Sequence, residues 1–230
     1  MRLQDLNWMD VERYLEQDQR IMLITGATEQ HGYLSLATDI LIPSRIALAV
    51  VEQEPVLVAP PFNFGVSELF GDFPGTITLS PQTFDAVLNE MVEGLMHQGC
   101  ERFFVLNGHS GNKMPQHLKD LRLNNLIQLD WYDWWDEQAA LGFAAEHNLR
   151  GDHANWGENY IFTRVADVPT GSKPPVNLEL LDAGQSPRDV LGDGSFGGPY
   201  QVDDELMQAM FARIVAEVVE RLRALGASSA

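Results

Sequence analysis

Glu29, His31 and Asp39 lie within eleven positions of one another, in the stretch GATEQHGYLSLATD that follows an apolar run. Side chains two apart in extended chain point the same way, so the Glu29 carboxylate and the His31 imidazole can reach one cation or two neighbouring ones. Asp39 returns just before the next expected helix, and a carboxylate there can bridge two cations, one on each oxygen. His109 sits in NGHSGN, whose glycines let backbone approach a substrate and whose following helix would offer free N–H groups to negative charge. Carboxylates and imidazoles without thiolates suit Zn²⁺, Mn²⁺ or Fe²⁺, as one or two ions. Taken singly, each residue has a plainer use. Glu-x-His pairs are common on surfaces, His109 can bond to backbone, and Asp39 can cap a helix. Jointly they fall where a single sheet edge would gather them.

The elements that must position these residues follow from periodicity. IMLIT, 21–25, and RFFVLN, 102–107, are continuous apolar runs of the kind buried on both faces of a parallel sheet. VLVAPPF, 56–62, and LIQLDWYDWW, 126–135, read as two further strands. A short surface helix is expected over 8–18. Pro43 is placed for the first turn of the next helix, whose apolar stripe is Ile46, Ala47, Val50 and Val51. Ser80 and Pro81 read as N-cap and first residue of a helix that carries Phe84, Val87, Leu88, Met91, Val92, Leu95 and Met96, with Gly99 just beyond its end. A helix with Met114, Leu118 and Leu121 follows the third strand, and another spans about 137–148. Residues 169–201 are rich in Gly and Pro and read as an extended surface excursion or interface arm. Asp203 to Leu225 is an amphipathic helix. Alternating strands and helices predict an α/β fold with a mostly parallel sheet covered on both faces, in one domain spanning 1–230. Ligands of such sheets bind beyond the C-terminal strand ends, where both histidine loops should open.

Composition narrows the partners. The chain has 230 residues, 33 acidic against 15 basic, and a formal net charge of −18. This argues against sequence-independent nucleic-acid binding and against docking on anionic membranes. The plain reading of the acidity is solubility. The single cysteine, Cys100, precludes an intrachain disulfide and fits a reducing, cytoplasmic setting. The N-terminal residues are too polar for a signal peptide, and no run approaches membrane-span length. His97 sits near a helix C-terminus, where a cation meets the helix dipole favourably, and His117 and His147 lie on expected helices without partner motifs and read as a solvated face.

GATEQHGYLSLATD, FPGTITL, FFVLNGHSGN and DHANWGEN occur in the order and spacing of the creatininase (creatinine amidohydrolase) family, and the resemblance covers roughly residues 20–165. It implies a three-layer α/β/α sandwich with Rossmann-like topology, a metal site that is often binuclear, a small and usually cyclic amide-like substrate, and a homo-oligomer, frequently a hexamer. Carried over by position, Glu29, His31, Asp39 and His109 match the family's metal ligands. Creatininases proper place a further glutamate two residues after the glycine-loop histidine, where this chain has Gly111. Glu158, five residues after His153, matches the glutamate that other relatives use instead, with an outer position orienting a ligand as its alternative. Asp152 and His153 resemble an acid–histidine pair that handles protons beside the metal. Ser110, Gly111 and Asn112 are expected against substrate, their backbone N–H groups facing an oxyanion. Trp156 is expected as a wall for a flat or ring-shaped substrate, and Trp134 and Trp135 read equally well as part of that wall or as aromatic core packing. HGYLSL is one residue shorter than the common His-Gly-Pro-His-Leu-Pro stretch and lacks its second histidine, and Phe70 replaces a histidine before FPGT. These changes leave the ligand set intact and alter the pocket, so creatinine itself is not the expected substrate. The expectation is a divalent-metal hydrolase of a cyclic amide C–N bond. The alternatives are a 3-dehydro-scyllo-inosose-type hydrolase cleaving a C–C bond, and a non-catalytic metal-stabilised binding protein.

Overall fold

The computed structural model describes residues 1–227; the last three positions of the expected 1–230 domain lie outside the described residues. Four parallel strands form the main sheet: β1 (Arg20–Thr25), β2 (Leu57–Val58), β3 (Arg102–Asn107) and β4 (Gln128–Asp133), in the order β2-β1-β3-β4. Every residue of β1 is buried, as a strand covered on both faces requires. Pleating sends alternate residues to opposite layers. Met22, Ile24, Phe104, Leu106 and Tyr132 meet α2 (Thr38–Val51), α5 (Gln138–Glu146) and α8 (Asp204–Ala227) in one apolar cluster. Ile21, Leu23, Phe103, Val105 and Leu129 meet α3 (Pro81–His97) and α4 (Gln116–Leu123) in the other, where α1 (Trp8–Leu15) also packs. This is the expected α/β/α sandwich. Burying each such side chain contributes about 1.5–3 kcal/mol before the entropy of ordering is subtracted.

The chain leaves β1 toward β2 and then crosses back to β3, so the strand order reverses between β1 and β3. Thr25 pairs with Asn107 and Asn107 with Asp133, so three strands end at the same level. A reversal at aligned C-terminal ends leaves a crevice there, because the loops above the two strands part in opposite directions.

Several boundaries differ from the sequence expectation. α2 begins at Thr38, so Pro43 lies inside it rather than in its first turn. Pro43 has no N–H to give the Asp39 carbonyl, and that carbonyl instead packs against Gly26 and Gly108, where any Cβ would overlap it. The second strand pairs with β1 continuously only over Leu57–Val58, since Pro60 and Pro61 cannot donate to a ladder, and pairing resumes as a single bridge between Phe62 and Thr25. α4 starts at Gln116, so the loop 108–115 separates its N-terminus from His109 and its free N–H groups do not serve the glycine loop. The 169–201 segment is not merely a surface excursion. It carries β5 (Ser172–Lys173), α6 (Glu179–Asp182), α7 (Pro187–Leu191) and β6 (Gly198–Pro199), with β5 and β6 antiparallel. Lys173 Nζ donates to the Leu191 and Ser195 carbonyls, at 2.6 and 2.7 Å, and pairs with Asp193 at 2.5 Å. That clamp turns the segment back so that Leu191 and Ser195 are fully buried.

Candidate metal centre

Asn107, at the end of β3, wires the crevice together. Its Oδ1 accepts from Thr25 Oγ1 at 2.9 Å and from Asn112 Nδ2 at 3.2 Å, while its Nδ2 donates to the His109 carbonyl at 2.8 Å and to Asp133 at 2.7 Å. Asn112 also donates to the Gly26 carbonyl at 3.1 Å and accepts from the Val66 N–H at 3.2 Å. The β1 loop, the β3 loop and the 62–79 loop are thereby fixed to one another.

Glu29, His31, Asp39 and His109 all end up buried in this crevice. His31 Nε2 lies 2.9 Å from Asp39 Oδ1 and 3.7 Å from Glu158 Oε2. His109 Nδ1 lies 3.0 Å from Asp39 Oδ2 and 3.4 Å from Glu29 Oε1. The far nitrogens are spoken for: His31 Nδ1 donates to the Glu29 carbonyl at 3.1 Å, and His109 Nε2 donates to the Val66 carbonyl at 2.8 Å. When neutral, each ring therefore turns a lone pair toward carboxylate oxygens, and such facing acceptors need positive charge between them, a proton or a metal ion. Glu29 Oε2, His31 Nε2 and Asp39 Oδ2 are buried without a hydrogen-bond partner. The donor atoms of Glu29, Asp39 and His109 lie within 4.8 Å of one another, as do those of His31, Asp39 and Glu158. Asp39 is common to both groups, with one oxygen toward each histidine. A third group, Glu29, His31 and His153, is as closely spaced. Ligands each about 2.0–2.2 Å from a zinc ion are themselves about 3 Å apart, so the donor set and its spacing fit divalent metal.

The electrostatics agree. Without a cation, burial works against charging His31, yet Asp39, Glu158 and Glu29 outweigh it and hold the ring up at about 10. His109 is pushed up to about 11, against its own burial, by its bonds to Asp39 and Glu29. Burial would raise Asp39, but His31 and His109 pull it well below the carboxylate range. Glu158 rises to about 7 chiefly through burial, with His31 opposing, and its Oε2 accepts from the Ala154 N–H at 2.7 Å.

His153 stands beside this cluster. Its ring centroid is 4.4 Å from that of His31, its Nδ1 is 3.7 Å from Glu29 Oε1, and it stacks on Phe70 at 4.4 Å and 15°. Burial, and then the charge of His31, push it well below the usual imidazole range. The expected pairing with Asp152 is not what holds this ring. Asp152 Oδ1 accepts from the His153 backbone N–H at 3.0 Å, a contact with the turn and not with the imidazole. Gln30 holds the ring instead. Its side-chain nitrogen is 2.8 Å from His153 Nε2, and its own carbonyl is 3.0 Å from the same atom. The amide is oriented by the Gly32 N–H, which donates to its Oε1 at 3.1 Å, and by the Gly194 carbonyl, which accepts from its nitrogen at 3.0 Å. Gln30 therefore offers a donor to Nε2 when that atom is bare and an acceptor when it carries a proton.

A cavity of about 190 Å³ opens on the cluster. Glu29, Asp39, His109 and Glu158 line its polar side, and Trp134, Trp135, Trp156 and Phe196 its apolar side. Ser110 and Trp156, expected against substrate, are among its lining residues. Gly111 and Asn112 are not among the lining residues. Gly111 packs where a Cβ would overlap the Val66 carbonyl and the His109 ring, and the Asn112 N–H is spent on the His109 carbonyl at 3.2 Å, so it does not face an oxyanion. Sequence reasoning missed Gln30, Phe70 as a stacking partner, and Phe196. The Gln30 position beside His31 was visible, but nothing local shows that its amide reaches a histidine 123 residues away.

Comparison with known proteins follows the geometry. The family model for creatininase, described as creatinine amidohydrolase, matches residues 4–222. A solved structure of creatinine amidohydrolase (creatininase) superposes with a TM-score of 0.79 at 20% identity, covering 99% of this chain and 98% of that one. A mutant creatininase of Zn-Zn type gives a TM-score of 0.78 at 20% identity, with 98% of each chain covered. The mycofactocin precursor peptide peptidase of Mycolicibacterium smegmatis is 34% identical over 99 residues, a match spanning 40% of this chain and 40% of that protein's length. A family match over nearly the whole sequence, on the fold and donor cluster described above, means that this chain belongs to the creatininase family.

Proposed function

We propose that the chain hydrolyses an amide C–N bond of a small, cyclic or peptide-like substrate, using two divalent cations held across Asp39. The carrying observation is that shared carboxylate, whose oxygens lie 2.9 and 3.0 Å from His31 and His109. Glu29 and His109 would hold one ion and His31 and Glu158 the other. Zinc is the first choice for carboxylate and imidazole donors, with Mn²⁺ or Fe²⁺ as the other candidates. Such ions lower the pKa of bound water and polarise a carbonyl when present. The chain's own residues do the rest. Trp134, Trp135 and Trp156 exclude water and wall the substrate, Ser110 meets it at the mouth, and His153, in the tautomer whose Nε2–H donates to the Gln30 backbone carbonyl, receives or returns a proton at Nδ1, the ring atom that faces the cluster. An amide bond is favoured over the C–C alternative because the family description and the peptidase relative both name C–N chemistry. The reading carries with it a homo-oligomer, with the hexamer as first expectation, and a cytoplasmic setting. No helix among the described residues is long and apolar enough to cross a membrane.

The test is metal content by elemental analysis after expression with added zinc or manganese, together with amine release from lactams and short peptides. Native protein is expected to hold close to two ions and to turn over at least one substrate class. Asp39→Asn should lose both ions and activity, and Glu158→Gln should lose one. Native turnover in Asp39→Asn would sink the assignment.

A further inference from the structure

Gln30 and Phe196 flank the His153 ring, and both depend on the segment between α7 and β6. No helix or strand runs through 192–197, so no regular ladder fixes that backbone. Lys173 fixes it instead. An ammonium carries three N–H donors, and three acceptors of this one segment converge on Nζ: the Leu191 carbonyl at 2.6 Å, the Ser195 carbonyl at 2.7 Å and Asp193 Oδ1 at 2.5 Å. Asp193 is gripped on its other sides as well. Its Oδ1 accepts from the Ser195 N–H at 3.2 Å, and its Oδ2 accepts from the Tyr200 hydroxyl at 2.6 Å. The Lys173 and Asp193 side chains are 18% and 23% exposed, so water and salt screen this pair less than a surface one. Gly194 stands between the two residues that Lys173 holds, and Phe196 follows directly. The Gly194 carbonyl accepts from the Gln30 amide nitrogen at 3.0 Å, and that nitrogen lies 2.8 Å from His153 Nε2. The Phe196 N–H donates to the His153 carbonyl at 3.1 Å, and its ring lies 5.1 Å from the imidazole.

We propose that Lys173 is a positioning residue for His153. By holding Asp193 and the Leu191 and Ser195 carbonyls, it seats Gly194 against the Gln30 amide and Phe196 against the imidazole. Neither Lys173 nor Asp193 is among the residues lining the cavity, so the effect passes through the segment and not through contact with substrate. Charge-assisted bonds suit this task, because three strong contacts from one atom fix a stretch of chain that has no ladder of its own. The inference rests on the hydrolase reading for its kinetic consequence, whereas its spectroscopic consequence needs no turnover.

The experiment compares metal-loaded native protein with Lys173→Met, which keeps an unbranched side chain and removes the ammonium. The variant should keep its ion content and its KM, while kcat falls about 10- to 100-fold, the range for losing partners that orient site histidines. The imidazole Cε1–H resonance of His153, assigned by its absence from His153→Gln, should move from its native position as the Phe196 ring shifts away. The resonances of His117 and His147 should stay where they are. Gly194→Ala leaves Lys173 in place but drives a Cβ into the Gln30 amide, and should move the same His153 resonance. Asp193→Asn keeps the two carbonyl contacts and should give a smaller change in the same direction. A folded Lys173→Met with native kcat and an unmoved His153 resonance would overturn the proposal, whatever its loss of stability. If Lys173→Met does not fold, Asp193→Asn decides, and an unmoved resonance there overturns it. Absence of turnover in native protein would instead overturn the hydrolase reading and leave the resonance test standing, so the two failures are told apart.

Discussion

At the scale of single residues, the chemistry is set by which atoms of each side chain are already engaged. His31 and His109 both spend one ring nitrogen on a backbone carbonyl, and this leaves opposite atoms, Nε2 in one and Nδ1 in the other, facing Asp39. A histidine fixed in this way keeps its orientation whether or not a cation is bound. Gln30 applies the same logic to His153, with the difference that its two contacts serve the two protonation states of one nitrogen. Removing the amide in Gln30→Ala should leave ion content unchanged and lower kcat by about 10- to 100-fold, the range seen when outer partners of site histidines are lost. The pH profile should shift as well, because Nε2 loses the donor it meets when bare. Steady-state kinetics across pH check this, and an unchanged profile with native kcat would show that Gln30 only fills space.

At the scale of elements, the site depends on how closely the start of α2 seats over the ends of β1 and β3. The Asp39 carbonyl presses on Gly26 and Gly108, and Pro43 one turn later releases that carbonyl from the helix ladder. The Asp39 side chain can reach both histidines because its backbone is wedged between the two strands that carry them. Gly108→Ala should therefore destabilise the fold by about 1–3 kcal/mol, the usual cost of overpacking, and should also loosen metal binding. Urea midpoints together with metal affinity test this; an alanine variant with native values for both would show that the wedge is not needed. The returning 191–199 segment is a second such device. Phe196 lies 5.1 Å from His153, ring to ring, and its N–H donates to the His153 carbonyl at 3.1 Å.

At the scale of the whole molecule, the sheet is tied at its other end by a charged cluster far from the cavity. Arg20 opens β1 and bonds Asp18 at 2.7 Å, Glu54 at 2.8 Å and the Leu222 carbonyl of α8 at 2.9 Å. Burial disfavours the charged forms of Asp18 and Glu54, but Arg20 more than offsets it and holds both carboxyls below their ordinary values of 3.8 and 4.5. Carboxylates depressed in the folded state contribute stability above their unfolded pKa and lose it as pH falls through the folded one. Asp18→Asn should cost roughly 1–2 kcal/mol near neutrality, a figure discounted for its partial exposure. The gap to native should close as pH drops below about 4. Urea unfolding at neutral and acid pH measures it, and a gap that stays constant with pH would refute the electrostatic account.

The sequence by itself determined the donor set and the sheet that carries it. Strands buried on both faces and helices with one apolar stripe leave a local period, and Glu29, His31, Asp39 and His109 could be placed at one sheet edge from that pattern alone. Glu158 was reachable only through the family resemblance, because no local period links residue 158 to residue 31. Tertiary structure alone decided which atoms face which. It gave His153 to Gln30 rather than to Asp152, turned Gly111 and Asn112 into loop supports, moved the start of α2 to Thr38, and folded Phe196 back onto the site. The physical reason is common to all four. A side chain's partner across the fold is chosen by close packing and by the need to satisfy buried polar atoms, and neither leaves a mark in the spacing of residues along the chain.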